Sequence, residues 1–341
     1  MLCLNRNLLN TLCIRAGKPL LRALFSEEHY LPESIHDVRV TVLGAAGKVG
    51  HLASLLLKQS PLLAELRLYD VSGVEELGAD VSLINTNCAV RVFSGVEELP
   101  DALEGTDIVL FMVGSPGKPP MTSKDLFTLN AELTAALAHQ CAALCPEAIL
   151  GVCTKPVNGM VPLVSEVMKL YGVYNPDKIV GMTTLNTIRA NSTVAEEYLT
   201  NAAYVHVPVI GGASTETAVP LLSRALPFSA FSQEMTEMLV TKIMDREAGY
   251  GICSAAHAVS RFIQTLARGL HNKKSVMSAF VRSDTCPGLR YFCNQIRFGP
   301  HGVMRNYGIP PLTPFEIQLL YSVRHKVKHE IVAGEKFARE N

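Results

Sequence analysis

The stretch VRVTVLGAAGKVGHLASLLLKQS, which begins at Val38, constrains the fold more than any other part of the chain. A β-branched run ends at Gly44, glycines recur at Gly47 and Gly50, and leucines then follow at helical spacing. A strand that passes through glycines straight into a helix is a βα unit, and the pattern repeats. ELRLYD (65–70), AVRVF (89–93), DIVLFMVG (107–114) and AILGVC (148–153) read as further strands. A helix starting near Asp125 runs through DLFTLNAELTAALAHQCAAL. Strands and helices in alternation predict an α/β fold, with a parallel sheet covered on both faces.

The glycine turn has a chemical reading as well. Gly44, Ala45, Ala46, Gly47, Lys48, Val49 and Gly50 place small residues where helix N-terminal amides can face a diphosphate. Asp70 closes the second strand, 20 residues beyond Gly50. Its carboxylate is suited to accept hydrogen bonds from an adenosine ribose and to repel a 2′-phosphate. Strand, glycines, helix, strand and terminal acid in this order predict a Rossmann-type site for NAD(H) rather than NADP(H). The alternative is a fold of that type that keeps its glycines for packing alone.

Beyond about residue 185 the texture changes. LNTIRANSTVAEEYL reads as a helix and leads into the strand HVPVIGG; long helical stretches follow near 231–270 and at PFEIQLLYSVRHKVKHEIVAG. This predicts an NAD-binding domain over 38–185 and a second, α+β domain over 186–341. Thirty-one basic and thirty-one acidic residues cancel, so no nucleic-acid partner is expected. No apolar run reaches the roughly 18 residues of a membrane span. The nine cysteines are scattered, without zinc-like spacing, and read as reduced packing residues.

Residues 1–30 stand apart. MLCLNRNLLNTLCIRAGKPLLRALFS carries Arg6, Arg15, Lys18 and Arg22 among leucines, and no acid appears before Glu27. An amphipathic, acid-poor leader of this kind predicts a presequence for the mitochondrial matrix. An N-terminal arm packed on the fold is the alternative.

From Val38 to the C-terminus the chain resembles the NAD-dependent malate dehydrogenases of the lactate/malate dehydrogenase family. The likeness is carried by LGAAGKVG, LYD, ALEGTDIVLFMVGSPGKPPMTSKDLFTLNA, TKPVN, VYNPDKIVGMTTLNTIRAN, VPVIGG and the final PFE…GEKFA. It implies a Rossmann-type NAD lobe, an α+β catalytic lobe and a homodimer or tetramer; SAAHAVSRFIQTLARGL offers an apolar helix for such an interface. It also implies cofactor contacts at Asn130, Thr154 and Lys155, with a cis peptide before Pro156.

The resemblance fails at the chemistry. In the family a His takes the hydroxyl proton while hydride passes to the nicotinamide, a buried Asp holds that His, and arginines clamp the substrate carboxylates. The His position is Ala213, the Asp position is Asn186, and the two loop-arginine positions are Gly117 and Ser123. Lys155 replaces the Asn that opens the family's NPVN, and of the usual ionic set only Arg189 remains. Removing a positioned base costs about 10²–10⁴ in rate, and losing its orienter adds less than a further full factor. Each missing Arg–carboxylate contact is worth roughly 1.5–3 kcal/mol. Together these changes predict lost malate dehydrogenase activity.

Substitute residues are few. Lys155 could serve as a cation or a base, or could pair with a nearby acid such as Glu216. Lys124 reads as a solvated loop charge, and His206 and His257 as structural histidines. Three functions follow: an inactive family member with a structural or interaction role that holds NAD(H), a redirected oxidoreductase acting on another 2-oxo or 2-hydroxy acid, or a malate dehydrogenase with replacement residues.

Overall fold

The computed structural model describes residues 38–115, 122–245 and 251–341. Gly117 and the whole expected presequence therefore lie outside the described residues. The first strands are β1 (Val38–Leu43), β2 (Leu63–Asp70), β3 (Ala89–Ser94), β4 (Ile108–Phe111), β5 (Ile149–Val152) and β6 (Ile179–Met182). They lie side by side in the order β3-β2-β1-β4-β5-β6, and every pairing among them is parallel. The same sheet continues through antiparallel pairs into β9 (Val276–Arg282), β10 (Tyr291–Gly299), β7 (Val209–Gly211) and β8 (Ala218–Pro220), with β11 (Gly302–Asn306) paired to β10.

Side chains that alternate along each strand feed two cores. On β4, Ile108 and Leu110 point into one, and Val109 and Phe111 into the other. One face is covered by α1 (Lys48–Lys58) and α8 (Ile252–Leu270), through Ala53, Leu57, Phe262 and Leu266. The other is covered by α4 (Ser123–Leu144), α5 (Val157–Leu170) and α9 (Pro314–Glu340), through Ala138, Met160, Val164 and Val327. A third, smaller core joins α6 (Thr184–Glu197), α7 (Gln233–Asp245) and the start of β7. Burial on both faces explains the near-continuous apolar strands, because neither side meets water.

The expected strands are all present, with shifted ends. β2 starts at Leu63 rather than at residue 65, and β4 stops at Phe111 because the chain turns away through Gly114 at a φ of 125°. The helical stretch near 231–270 is two helices, α7 and α8. Ala256, Val259, Phe262 and Ile263 of α8 are buried in this chain's own core, while Cys253, His257, Arg261 and Arg268 are exposed. The expected homodimer thus draws no support from an apolar outer face on that helix. Among the described residues no helix is long and apolar enough to cross a membrane, and no His, Cys, Asp and Glu side chains gather as a metal would require.

α9 begins at a capping box, in which the Thr313 hydroxyl accepts from the Glu316 amide and the Glu316 carboxylate accepts from the Thr313 amide. It then crosses α5 at Gly334 and Gly159, where a Cβ on Gly334 would strike the Gly159 carbonyl oxygen. Substituting Gly334→Ala must force the two helices apart and should cost about 1–3 kcal/mol. Val332→Ala, half exposed on the same helix, should stay within about 0.5 kcal/mol. Urea unfolding of the two variants beside the parent checks both.

Candidate functional site

The strand order reverses direction at β1: the chain steps outward to β2 and β3, then returns to β4 on the other side. Such a reversal opens a crevice at the carboxyl ends of the central strands. Gly44 sits at that end of β1 with φ at 93°, and a Cβ there would lie 2.9 Å from both the Met112 carbonyl carbon and the Val113 amide nitrogen. Only glycine lets the chain leave β1 so close to the end of β4. A cavity of about 550 Å³ opens beside this turn, bordered by Gly44, Gly47, Asp70, Val96, Gly114 and Leu133.

Asp70 is fixed at the cavity's edge by backbone donors. Its Oδ2 accepts from the Ala46 amide at 3.0 Å, and its Oδ1 from the Val71 amide at 2.8 Å. A carboxylate offers about four acceptor directions, so each oxygen keeps one for a ligand hydroxyl. Ala45 is buried beneath the turn, while Lys48 and Val49 open α1, whose first helical bond runs from the His51 amide to the Gly47 carbonyl. The amides before that bond have no intrahelical acceptor.

Farther along the crevice, Asn130 of α4 is buried and ties two loops together. Its Oδ1 accepts from the Ser115 amide at 2.8 Å, and its Nδ2 donates to the Lys155 carbonyl at 2.8 Å. Buried Thr154 donates its hydroxyl to the Val113 carbonyl at 2.8 Å, and the Lys155–Pro156 peptide is cis, as the resemblance implies. The Lys155 side chain is exposed. Glu216, the acid considered for it, pairs with Lys326 of α9. Ser123 is the first residue of α4, and Lys124 beside it is exposed.

The turn after β7 holds the center of the candidate site. Ala213 is half-buried, and two side-chain amides grip its backbone. Asn158 Oδ1 accepts from the Ala213 amide at 2.7 Å, and Asn186 Nδ2 donates to the Ala213 carbonyl at 2.8 Å. Asn158 also donates to Glu330 Oε2 at 2.7 Å and to the Thr217 hydroxyl at 3.1 Å. Arg189, one turn beyond Asn186 on α6, donates to the buried Thr215 hydroxyl. The fold thus brings Ala213, Asn186 and Arg189 to one turn. The roles of Asn158 and Glu330 went unread. TKPVN contains Asn158, but no local pattern links it to Glu330, 172 residues away.

No substitute nucleophile or base is poised at this turn among the groups with shifted titration. Cys153 contacts the Met182 sulfur at 3.6 Å, and burial pushes its pKa far above the usual thiol range. It stays protonated near neutral pH. His206 holds Leu226 through a backbone bridge, and His257 is exposed on α8.

Comparison with known proteins settles the lineage. Residues 38–181 match the lactate/malate dehydrogenase NAD binding domain, and residues 183–338 match the lactate/malate dehydrogenase alpha/beta C-terminal domain. The chain belongs to the lactate/malate dehydrogenase family. It is 38% identical to the mitochondrial malate dehydrogenase of Bos taurus, with 97% of this chain and 99% of the relative covered. It is 40% identical to that of Rattus norvegicus, covering 89% and 93%. The fold matches that of the malate dehydrogenase from Picrophilus torridus, with a TM-score of 0.76 at 16% identity over 89% of this chain and 99% of that one. That from Plasmodium falciparum gives 0.73 at 18% identity, over 89% and 100%.

The N-terminal half is accordingly a domain of the NAD-binding type, and the residues present fit that cofactor. The open turn at Gly44, the cavity beside it and the fixed Asp70 carboxylate supply space, amides and ribose acceptors. Asp70→Asn keeps an acceptor but loses the charge. It should weaken NADH binding by about ten- to a hundredfold and narrow the preference over NADPH, as read by fluorescence titration with each nucleotide.

Proposed function

We propose that this chain is a mitochondrial member of the family that holds NAD(H) but has lost malate dehydrogenase chemistry, and that its role is structural or one of interaction. The observation that carries the reading is the hydrogen bond from Asn186 Nδ2 to the Ala213 carbonyl. In the family, a carboxylate at position 186 serves a histidine at position 213. With alanine at 213 a buried carboxylate would face a carbonyl oxygen, acceptor against acceptor, with its charge uncompensated. Asn186 is 5% exposed and replaces that carboxylate with a neutral donor. The two changes form one coherent state, in which the amide holds backbone instead of orienting a base.

Bound NAD(H) supplies only the exchange of hydride. Proton transfer to and from the substrate oxygen has to come from the chain, and neither Ala213 nor Asn186 can provide it. Arg189 remains as a carboxylate-directed group, while Gly117 and Ser123 cannot replace forked cations. The cofactor cradle depends mainly on backbone and on Asp70, and it survives. We read residues 1–30 as a presequence, 38–185 as the cofactor domain and 186–341 as the former substrate domain, assembled as a homodimer in the mitochondrial matrix. The mitochondrial names of the relatives support the location.

A second reading, a redirected oxidoreductase, is favored by the exposed cation at Lys155 beside the cofactor loop. The full chain with NADH and oxaloacetate should give no oxidation above the uncatalyzed background at 340 nm, while fluorescence titration shows NADH binding. Turnover on another 2-oxo acid, abolished by Lys155→Ala, would establish the second reading instead. Ordinary dehydrogenase rates with oxaloacetate would end the first.

The Asn186–Ala213 pair makes a stability prediction of its own. Asn186→Asp alone should destabilize the protein by about 1–3 kcal/mol. In the Ala213→His background the same change should cost clearly less, because the new imidazole can donate to the carboxylate. A double-mutant cycle in urea measures this coupling, and strict additivity would refute it.

A further inference from the structure

We propose that one face of the β9–β10–β11 strands docks the chain onto an anionic phospholipid surface. The chain is neutral overall, but its charge is unevenly placed. Residues 248–315 carry eight lysines and arginines and a single acid, Asp284. That acid is held by Arg282, whose Nη1 lies 2.7 Å from its carboxylate.

The sheet lines up part of this excess. Arg297 of β10 pairs with Arg305 of β11 on one side and with Val276 of β9 on the other. Residues opposite each other on neighboring strands share a face, so both guanidinium groups stand on the side that carries Val276. Tyr307 joins them, because the Arg305 guanidinium lies over its ring, 5.0 Å from the centroid. Lys274, exposed just before β9, adds a third cation. Val276 is 38% exposed and Tyr307 47%.

Cations such as Arg39, Arg67, Lys178 and Arg290 each hold a carboxylate. Lys274, Arg297 and Arg305 form no ion pair among the described residues, and the Arg297 Nε is buried without a hydrogen-bond partner. Like charges directly opposite on a sheet repel, and here nothing on the chain neutralizes them. Anionic headgroups would. The row across three strands is about 10 Å long, which suits a plane of charges better than one small anion. Exposed Val276 and Tyr307 beside it match the apolar boundary under the headgroups, where tyrosine is favored. A nucleic acid fits less well, because a lone tyrosine gives no run of stacking platforms. Contact stays at the surface, since no helix among the described residues is long and apolar enough to cross a membrane.

The test is cosedimentation of the full chain with phosphatidylcholine vesicles that contain about 30% phosphatidylglycerol, at about 10 mM and about 200 mM salt. Residues 1–30 are basic too and are common to every variant, so the differences among variants are what is read. Lys274→Gln with Arg305→Gln should weaken binding roughly ten- to fiftyfold at low salt, with a smaller effect at high salt. Lys328→Gln with Lys336→Gln removes equal charge from α9 and should change binding by less than about twofold. Tyr307→Ser should weaken it about three- to tenfold at both salts, because its contribution is apolar. Urea midpoints close to the parent's show that the variants fold. Equal losses in the two double variants, or no sedimentation of the parent with these vesicles, would overturn the proposal. So would tighter binding to a single-stranded oligonucleotide that the Lys274 and Arg305 changes abolish, which would make this a nucleic-acid face.

Discussion

Burial of a parallel sheet on both faces is the constraint on which the rest of this structure depends. β1, β4, β5 and β6 meet apolar helices above and below, so their side chains are committed to packing. Chemistry is left to the strand ends and the turns that follow them. Much of the candidate site obeys this: the Gly44 turn after β1, Asp70 at the end of β2, Thr154 and Lys155 after β5, and Ala213 after β7. A turn can lose a side chain without disturbing the sheet beneath it. The proposed loss of the usual catalytic set is therefore compatible with an intact fold.

What the proposed function keeps and what it gives up differ in physical kind. The cofactor crevice is built from backbone amides, a positive-φ turn and one carboxylate held by two amides. Such features are tied to the path of the chain, and removing them would disturb β1 and β4 themselves. Substrate chemistry in the family depends on long, charged side chains reaching from turns and a loop, and those contribute little to folding. At Ala213 and Asn186 the proposed loss would also be structurally tidy, since both backbone groups of residue 213 have a partner. Any one such change fits a variant enzyme, but the paired replacement is harder to reconcile with proton transfer at that turn.

Much of the first half was legible because its signals are local. A β-branched run ending in glycine, followed by leucines at helical spacing, encodes β1 and α1 within some twenty residues. α5 was not read, and its sequence shows why. Eleven of its fourteen residues are buried and Pro162 lies inside it, so no polar face marks a helical period. α2 (Glu75–Ser82) escaped for a different reason, being only eight residues long and half polar. The antiparallel β9, β10 and β11 show their pairing only once the chain has folded back. At the site, the missing side chains could be seen in the sequence by their positions, but their replacements' contacts could not. The Lys326–Glu216 ion pair and the Asn158–Glu330 hydrogen bond both join the β7–α5 region to α9 across more than a hundred residues.

Those long-range contacts bear on what the remaining turn can become. Glu330 accepts from Asn158, which in turn holds the Ala213 amide, so the helix that closes the second core also fixes the turn. The turn is rigid on its backbone side and open on its side-chain side. Rigidity of this sort is what a positioned catalytic group needs, and it persists here beneath a methyl group. The geometry that would place a base has been preserved by packing, because Asn158, Thr217 and Gly212 are in contact too close to change separately. A site can thus keep the shape of an enzyme's for reasons of folding alone, and shape is therefore weak evidence for turnover beside the identity of residue 213.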